Sequence, residues 1–157
     1  VLEILSLSSV QELAGDKEWI QLDQVLEQIL DQYKVLAQSR SLTIDNQIPD
    51  KAVYMDPAIL KLVLSNVISN AVKHSDAGGE IQLRLEEEGT HLAVENTSQK
   101  MVETAEMPMT ASRQKKEGGL GLFVVQHLLD HEELAYQFDK TAMGLRFRME
   151  LPKDPQE

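Results

Sequence analysis

The chain contains no cysteine. Disulfides, thiolate metal sites and cysteine nucleophiles are therefore excluded, although nothing follows about compartment. Long apolar runs are also missing. No stretch approaches the ~18 residues of a membrane span, and no secretory signal opens the chain. Basic residues are scarce: 15 stand against 26 acidic ones, for a formal net charge of −11. A surface of that sign repels phosphate backbones and argues against nucleic acid or an anionic membrane as partner. An anionic ligand would need a local cluster of donors and cations. Internal repeats and low-complexity tracts are absent too. The first residue is Val1 rather than Met, so the sequence reads as a fragment whose parent could still be membrane-anchored.

What is present fits one domain. A length of 157 residues suits a single core with a short appendage, and an apolar share of 42% is ordinary for a globular protein. Residues 1–14 read as the end of an amphipathic helix, broken at Gly15-Asp16. Residues 22–39 carry a helical stripe of Leu22, Val25, Leu26, Ile29, Leu30, Tyr33 and Leu36. Residues 42–48 alternate as a strand, and a short extended piece follows at Val53–Met55. Asp56-Pro57 is a helix start, with Asp as cap and Pro in the first turn. That helix runs to about His74. Strands follow at 80–87 and 91–96, joined through Glu88-Gly89-Thr90. Residues 98–118 show no period, which inside a compact domain marks a functional or disordered stretch. A helix over 120–131 and strands near 134–139 and 144–151 close the chain. We expect an α+β fold: a two-layer sandwich of a mixed, mostly antiparallel sheet with helices on one face.

The helix over 56–74 carries a polar seam. It is apolar nearly all round, through Leu60, Leu62, Val63, Leu64, Val67, Ile68, Ala71 and Val72, and should be mostly buried. Yet Asn66, Asn70, Lys73 and His74 fall at i, i+4, i+7 and i+8, within roughly a 100° arc. A buried helix must satisfy such groups. The asparagines can bond neighbouring backbone while Lys73 reaches solvent at the helix end. Alternatively the seam is a phosphate and Mg²⁺ site, with amide oxygens for a hard, hydrated cation and Lys73 and His74 for phosphate charge.

Ahead of the next helix stands Glu117-Gly118-Gly119-Leu120-Gly121-Leu122. Glycines admit close backbone approach to phosphate, and a helix N-terminus adds free N–H groups. A tight turn reads the same way. No Gly-Lys-Ser/Thr follows, so this is not a Walker A loop.

Together these segments resemble the catalytic ATP-binding domain of bacterial two-component sensor histidine kinases. NVISNAVKH at 66–74 is similar to that family's N box, N-x-x-x-N-A-x-K-[H/Y], and GGLGL at 118–122 to its second glycine box. Asp56 with its leucine-rich run, and G-x-x-F-x-x-x-L-P at 144–152, also fit. The likeness covers about residues 20–152. It implies the Bergerat fold, with residues 1–16 as the tail of a dimerisation helix and hinge, 17–152 as the ATP-binding domain and 153–157 as a flexible tail. It further implies ATP and Mg²⁺ as cofactors. By the same likeness Asn70 is the Mg²⁺ ligand, Asn66 assists it, Lys73 contacts phosphate and His74 lies near the nucleotide. Gly118, Gly119, Leu120, Gly121 and Leu122 flank the phosphates, and 98–118 is a mobile lid.

Two segments depart from the family pattern. The first glycine box, Asp-x-Gly-x-Gly, is here Asn96-Thr97-Ser98-Gln99-Lys100. Asn96 falls where the family's Asp accepts a bond from the adenine amino group, a bond that an amide carbonyl can also accept; a turn or cap residue at a strand end is the plainer alternative. The lid's phenylalanine box is not recognisable, and Met101, Met107 and Met109 could take its place. Arg113, Lys115 and Lys116 form either a solvated charge run or cations for the γ-phosphate.

Superfamily members that hydrolyse ATP carry a Glu one turn before the metal Asn; Asn66 stands there and cannot act as a base. That favours phosphoryl transfer to a protein side chain. None of His74, His91, His127 and His131 sits in a Ser-His-Glu-type helix context, so the acceptor is expected on an absent dimerisation domain, with a response regulator downstream. The domain should bind ATP yet not autophosphorylate, and should be a cytoplasmic part of its parent. An anti-sigma-type serine kinase, or a degenerate domain that binds protein and no nucleotide, are the alternatives.

Overall fold

The computed structural model describes residues 15–98 and 120–155. The expected helix end at 1–14 therefore lies outside the described residues, as does the expected lid apart from Ser98. Seven strands and four helices follow one another in the described parts. They are β1 (Glu18–Gln21), α1 (Leu22–Gln32), α2 (Lys34–Ser39), β2 (Thr43–Asn46), β3 (Ala52–Met55), α3 (Pro57–His74), β4 (Glu80–Glu86), β5 (His91–Thr97), α4 (Leu120–His131), β6 (Tyr136–Lys140) and β7 (Gly144–Glu150). The main sheet has the order β2-β4-β5-β7-β6, parallel only between β2 and β4. The expected α+β sandwich, with a mixed sheet and its helices on one face, is what forms.

Alternation along the strands explains the layering. Ile81 and Leu83, Leu92 and Val94, and Leu145, Phe147 and Met149 point to one face and are buried. They join Leu22, Val25, Leu26 and Ile29 of α1, the apolar positions of α3, and Val124, Val125, Leu128 and Leu129 of α4 in one core. The other face is polar. There Arg84 meets Glu86 and Glu95, each at 2.9 Å, and Arg146 meets Asp139 at 3.0 Å. Partial burial pulls against the Arg84 charge, but hydrogen bonds and charge from Glu95 and Glu86 outweigh it and hold the guanidinium above its ordinary pKa.

Helix α3 begins as its sequence predicts. Asp56 caps it by accepting the Ala58 N–H at 2.9 Å, and its other carboxylate oxygen accepts the N–H of Gly15 at 2.7 Å. The cap is itself buried, so the helix start and the Gly15 backbone share one anchor.

The structure differs from the sequence reading in two places. The stripe over 22–39 is broken at Tyr33, whose N–H is shared between the carbonyls of Ile29 and Leu30. The break turns the stripe: Ala37 takes the inward position of α2, and Leu36 is left 37% exposed. The second difference is β1, which the sequence did not announce. It pairs antiparallel with β3, with Trp19 opposite Tyr54 and their rings 5.4 Å apart.

Candidate functional site

The polar seam occupies the second half of α3. Asn66 is half-buried and donates its Nδ2 to the Leu62 carbonyl at 2.7 Å. This fixes the amide, leaving its oxygen as the acceptor end. Asn70 is half-buried one turn on, His74 is half-buried and Lys73 is exposed in the last turn. A cation at a helix C-terminus also complements the helix dipole, so Lys73 is placed favourably with or without a ligand.

The end of α3 is tied to the end of β5. The Ser75 N–H and hydroxyl both donate to the Ala71 carbonyl, and the Arg40 guanidinium donates to the Ser75 carbonyl. The Asp76 N–H then donates to the Thr97 carbonyl at 2.9 Å, and the Glu80 N–H to the Thr97 hydroxyl at 3.1 Å. Two glycines press on the same segment. A Cβ on Gly79 would stand 2.9 Å from the Thr97 Cβ, and one on Gly144 would stand 2.3 Å from both the Asn96 carbonyl and the Ser98 nitrogen. Only glycine permits that approach. The segment Asn96-Thr97-Ser98 lacks the glycines expected of its motif, and it is held instead by glycines from its neighbours.

That clamp places Asn96. It lies opposite Ile81 on one side and Leu145 on the other, on the helix-covered face of β5 with Val94. It is 5% exposed, and its Nδ2 is enclosed with no hydrogen-bond partner among the described residues. Asn96 and Asn70 line one cleft, together with Val67 and Ala71 of α3 and Leu122 of α4. Its floor is apolar: Phe138, Leu145 and Phe147 contribute, the two rings 5.1 Å apart. Apolar walls with a few polar groups converging from separate elements are the composition of a small-molecule site, although the space enclosed here is only about 10 Å³, room for one water.

Of the residues singled out from sequence, three thus come together: Asn70, Asn96 and Leu122, from three elements. Asn66, Lys73 and His74 continue along α3 beside the cleft without lining it. Leu120 and Gly121 begin α4. Arg113, Lys115, Gly118 and Gly119 lie outside the described residues. Phe138 and Leu145 were not foreseen as site residues, because in sequence they read as ordinary strand core; Phe147 was visible only as part of the terminal G-x-x-F pattern. No group of three or more His, Cys, Asp or Glu side chains that could hold a metal occurs among the described residues. A divalent ion here would have to rely on amide oxygens, water and the ligand itself, which Mg²⁺ tolerates.

A helix-backed mixed sheet, with a cleft between α3, α4 and the end of β5, is the architecture of an ATPase-type catalytic domain. The chain belongs to the family of histidine kinase-, DNA gyrase B- and HSP90-like ATPases, whose profile matches residues 55–155. It is 30% identical to the sensor histidine protein kinase HK06 of Streptococcus pneumoniae, in an alignment covering 95% of this chain and 35% of that protein. It is 29% identical to the sensor protein VanSB of Enterococcus faecalis, covering 97% of this chain and 36% of that one. The chain therefore spans about a third of the length of these relatives. The catalytic domain of histidine kinase ThkA superposes with a TM-score of 0.74 at 19% identity, covering 90% of this chain and 99% of that domain. The fold is thus that of histidine kinase catalytic domains.

Proposed function

We propose that this domain binds Mg-ATP and donates the γ-phosphate to a histidine on a separate phosphoacceptor domain of a two-component sensor kinase. The observation that carries the reading is the meeting of Asn70 and Asn96 in one cleft. The adenine would lie over Val94, Leu145 and Phe147, with Asn96 at its polar edge. The triphosphate would run along α3 towards Lys73 and His74, and Gly118, Gly119, Leu120, Gly121 and Leu122 would flank it at the entry of α4. Arg113 and Lys115 would bring positive charge to an otherwise acidic protein. Asn70, assisted by the fixed amide of Asn66, would hold Mg²⁺, which when bound neutralises phosphate charge. Asn66, one turn before Asn70, cannot act as a base for water, which favours binding and orienting ATP for transfer over hydrolysing it. The acceptor histidine, the sensor and a membrane anchor would belong to the rest of the parent, with a response regulator as the downstream partner. None of the described helices is long and apolar enough to cross a membrane.

Titration with a ribose-labelled fluorescent ATP analogue tests the reading. Wild type should bind in a Mg²⁺-dependent manner, and Asn70→Ala should lose about 10- to 100-fold of that affinity. Equal binding by wild type and Asn70→Ala would sink the assignment. Incubated with labelled ATP, the domain should phosphorylate an added acceptor-helix domain and not itself.

A further inference from the structure

Asn96 carries a donor that the described residues leave unmet. Its Nδ2 is enclosed at the wall of the cleft and meets no acceptor. Two other buried atoms are in that position, Arg40 Nε and Arg146 Nε. Each belongs to a guanidinium that is bonded elsewhere, Arg40 to the Ser75 carbonyl and Arg146 to Asp139. Asn96 has only the one amino group, and it faces the cleft that Asn70 and Leu122 also line. Among the described residues no acceptor holds Nδ2 in one of the amide's two orientations, which differ only by exchange of oxygen and nitrogen.

Resting on the reading of this cleft as the adenine end of a nucleotide site, we propose that Asn96 relaxes the choice of purine, so that the site accepts 6-oxopurine as well as 6-aminopurine nucleoside triphosphates. The resemblance places an aspartate here, and a carboxylate only accepts hydrogen bonds. It can receive the 6-amino group of adenine but opposes the oxygen of a 6-oxopurine. An amide presents one acceptor beside one donor. Facing adenine, Oδ1 accepts from the 6-amino group while Nδ2 donates to N1. Rotated by half a turn, Nδ2 donates to the 6-oxo group while Oδ1 accepts from the N1–H. Each pairing makes two bonds and satisfies the enclosed Nδ2. Two-point pairing of an Asn amide with a base edge is an established recognition mode. The apolar walls formed by Val94, Leu145 and Phe147 supply no competing polar group.

Competition against the fluorescent ATP analogue, in the presence of Mg²⁺, measures the choice directly. Inosine triphosphate is the probe, because it differs from ATP at position 6 and N1 without adding a 2-amino group. In the wild-type domain, inosine triphosphate should bind within about tenfold of ATP; a larger gap overturns the inference, whatever any variant does. Asn96→Asp should widen the gap by at least about tenfold, through weaker binding of inosine triphosphate. An unchanged ratio in a variant that still binds ATP would also overturn it. If neither ATP nor inosine triphosphate displaces the analogue from wild type, the nucleotide-site reading itself fails, and the base-choice inference falls with it.

Discussion

The two faces of the main sheet treat their polar groups in opposite ways. On the open face, charges answer one another across strands: Arg84 with Glu86 and Glu95, Arg146 with Asp139, Arg148 with Glu86 at 3.6 Å. On the helix-covered face β5 is apolar until Asn96, whose amino group has no partner among the described residues. The costs differ accordingly. A partly solvated ion pair contributes about 0–1 kcal/mol and can be exchanged for water. A buried amide left unmet costs about 1–3 kcal/mol. Arg146 Nε on the open face is also buried without a partner among the described residues, but its guanidinium bonds Asp139, whereas the Asn96 amino group on the cleft has no other bond among them. An amino group left wholly unmet is what is expected at a site that something else completes.

The sharpest way to break the comparison is to disturb the clamp on Asn96. A methyl group on Gly144 would meet backbone atoms of Asn96 and Ser98, which cannot move aside without separating β5 from β7. Gly144→Ala should therefore destabilise the domain by about 3 kcal/mol, the upper range for overpacking a core. Urea unfolding followed by circular dichroism measures this. A variant with the wild-type midpoint would show that the segment is not held from β7.

Asn96→Leu should have a smaller effect of opposite sign. Removing the unmet amide while keeping apolar volume should raise stability by about 1–2 kcal/mol. Affinity for the ATP analogue should fall at least about tenfold in the same protein, because the polar edge of the site is gone. The opposite movement of the two quantities is the signature of a group kept for binding. If stability falls as well, the amide is satisfied in the unliganded domain, and the contrast between the faces disappears.

Much of this was legible in the chain, for local reasons. Helix α3 was readable because Asp56-Pro57 marks its start and its residues are apolar nearly all round; α4 was readable as a helix over 120–131 entered from the glycine run at 118–121. The β1 strand was not, because Glu18-Trp19-Ile20-Gln21 has no alternation and takes its partner from β3 across the intervening helices and β2. The bend at Tyr33 depends on which residues the core can take, and sequence spacing does not report that. At the site, Asn70, Asn96 and Leu122 were each marked by motif position. That they line one cleft follows from the register of β5 and β7. The clamp by Gly79 and Gly144 and the apolar floor at Phe138 and Leu145 are likewise long-range results, invisible to any local pattern.

The smallest predicted effect lies on the open face. Glu86 is the node of that lattice: one oxygen accepts from Arg84 Nε at 3.0 Å, and Arg146 and Arg148 approach at 3.8 and 3.6 Å. Glu86→Gln preserves the shape and one acceptor but leaves three arginines sharing Glu95 and Asp139. With side chains a fifth to a quarter exposed, solvent screens much of that imbalance, and the loss should be about 1 kcal/mol or less. The loss should shrink as salt is raised, because added ions screen the unpaired arginines. Nucleotide affinity should not change, since the face points away from the cleft. Unfolding midpoints at low and high salt, with the analogue titration alongside, check all three expectations. A change in affinity would mean that the two faces are coupled through β5, and that the open lattice helps to hold Asn96 in place.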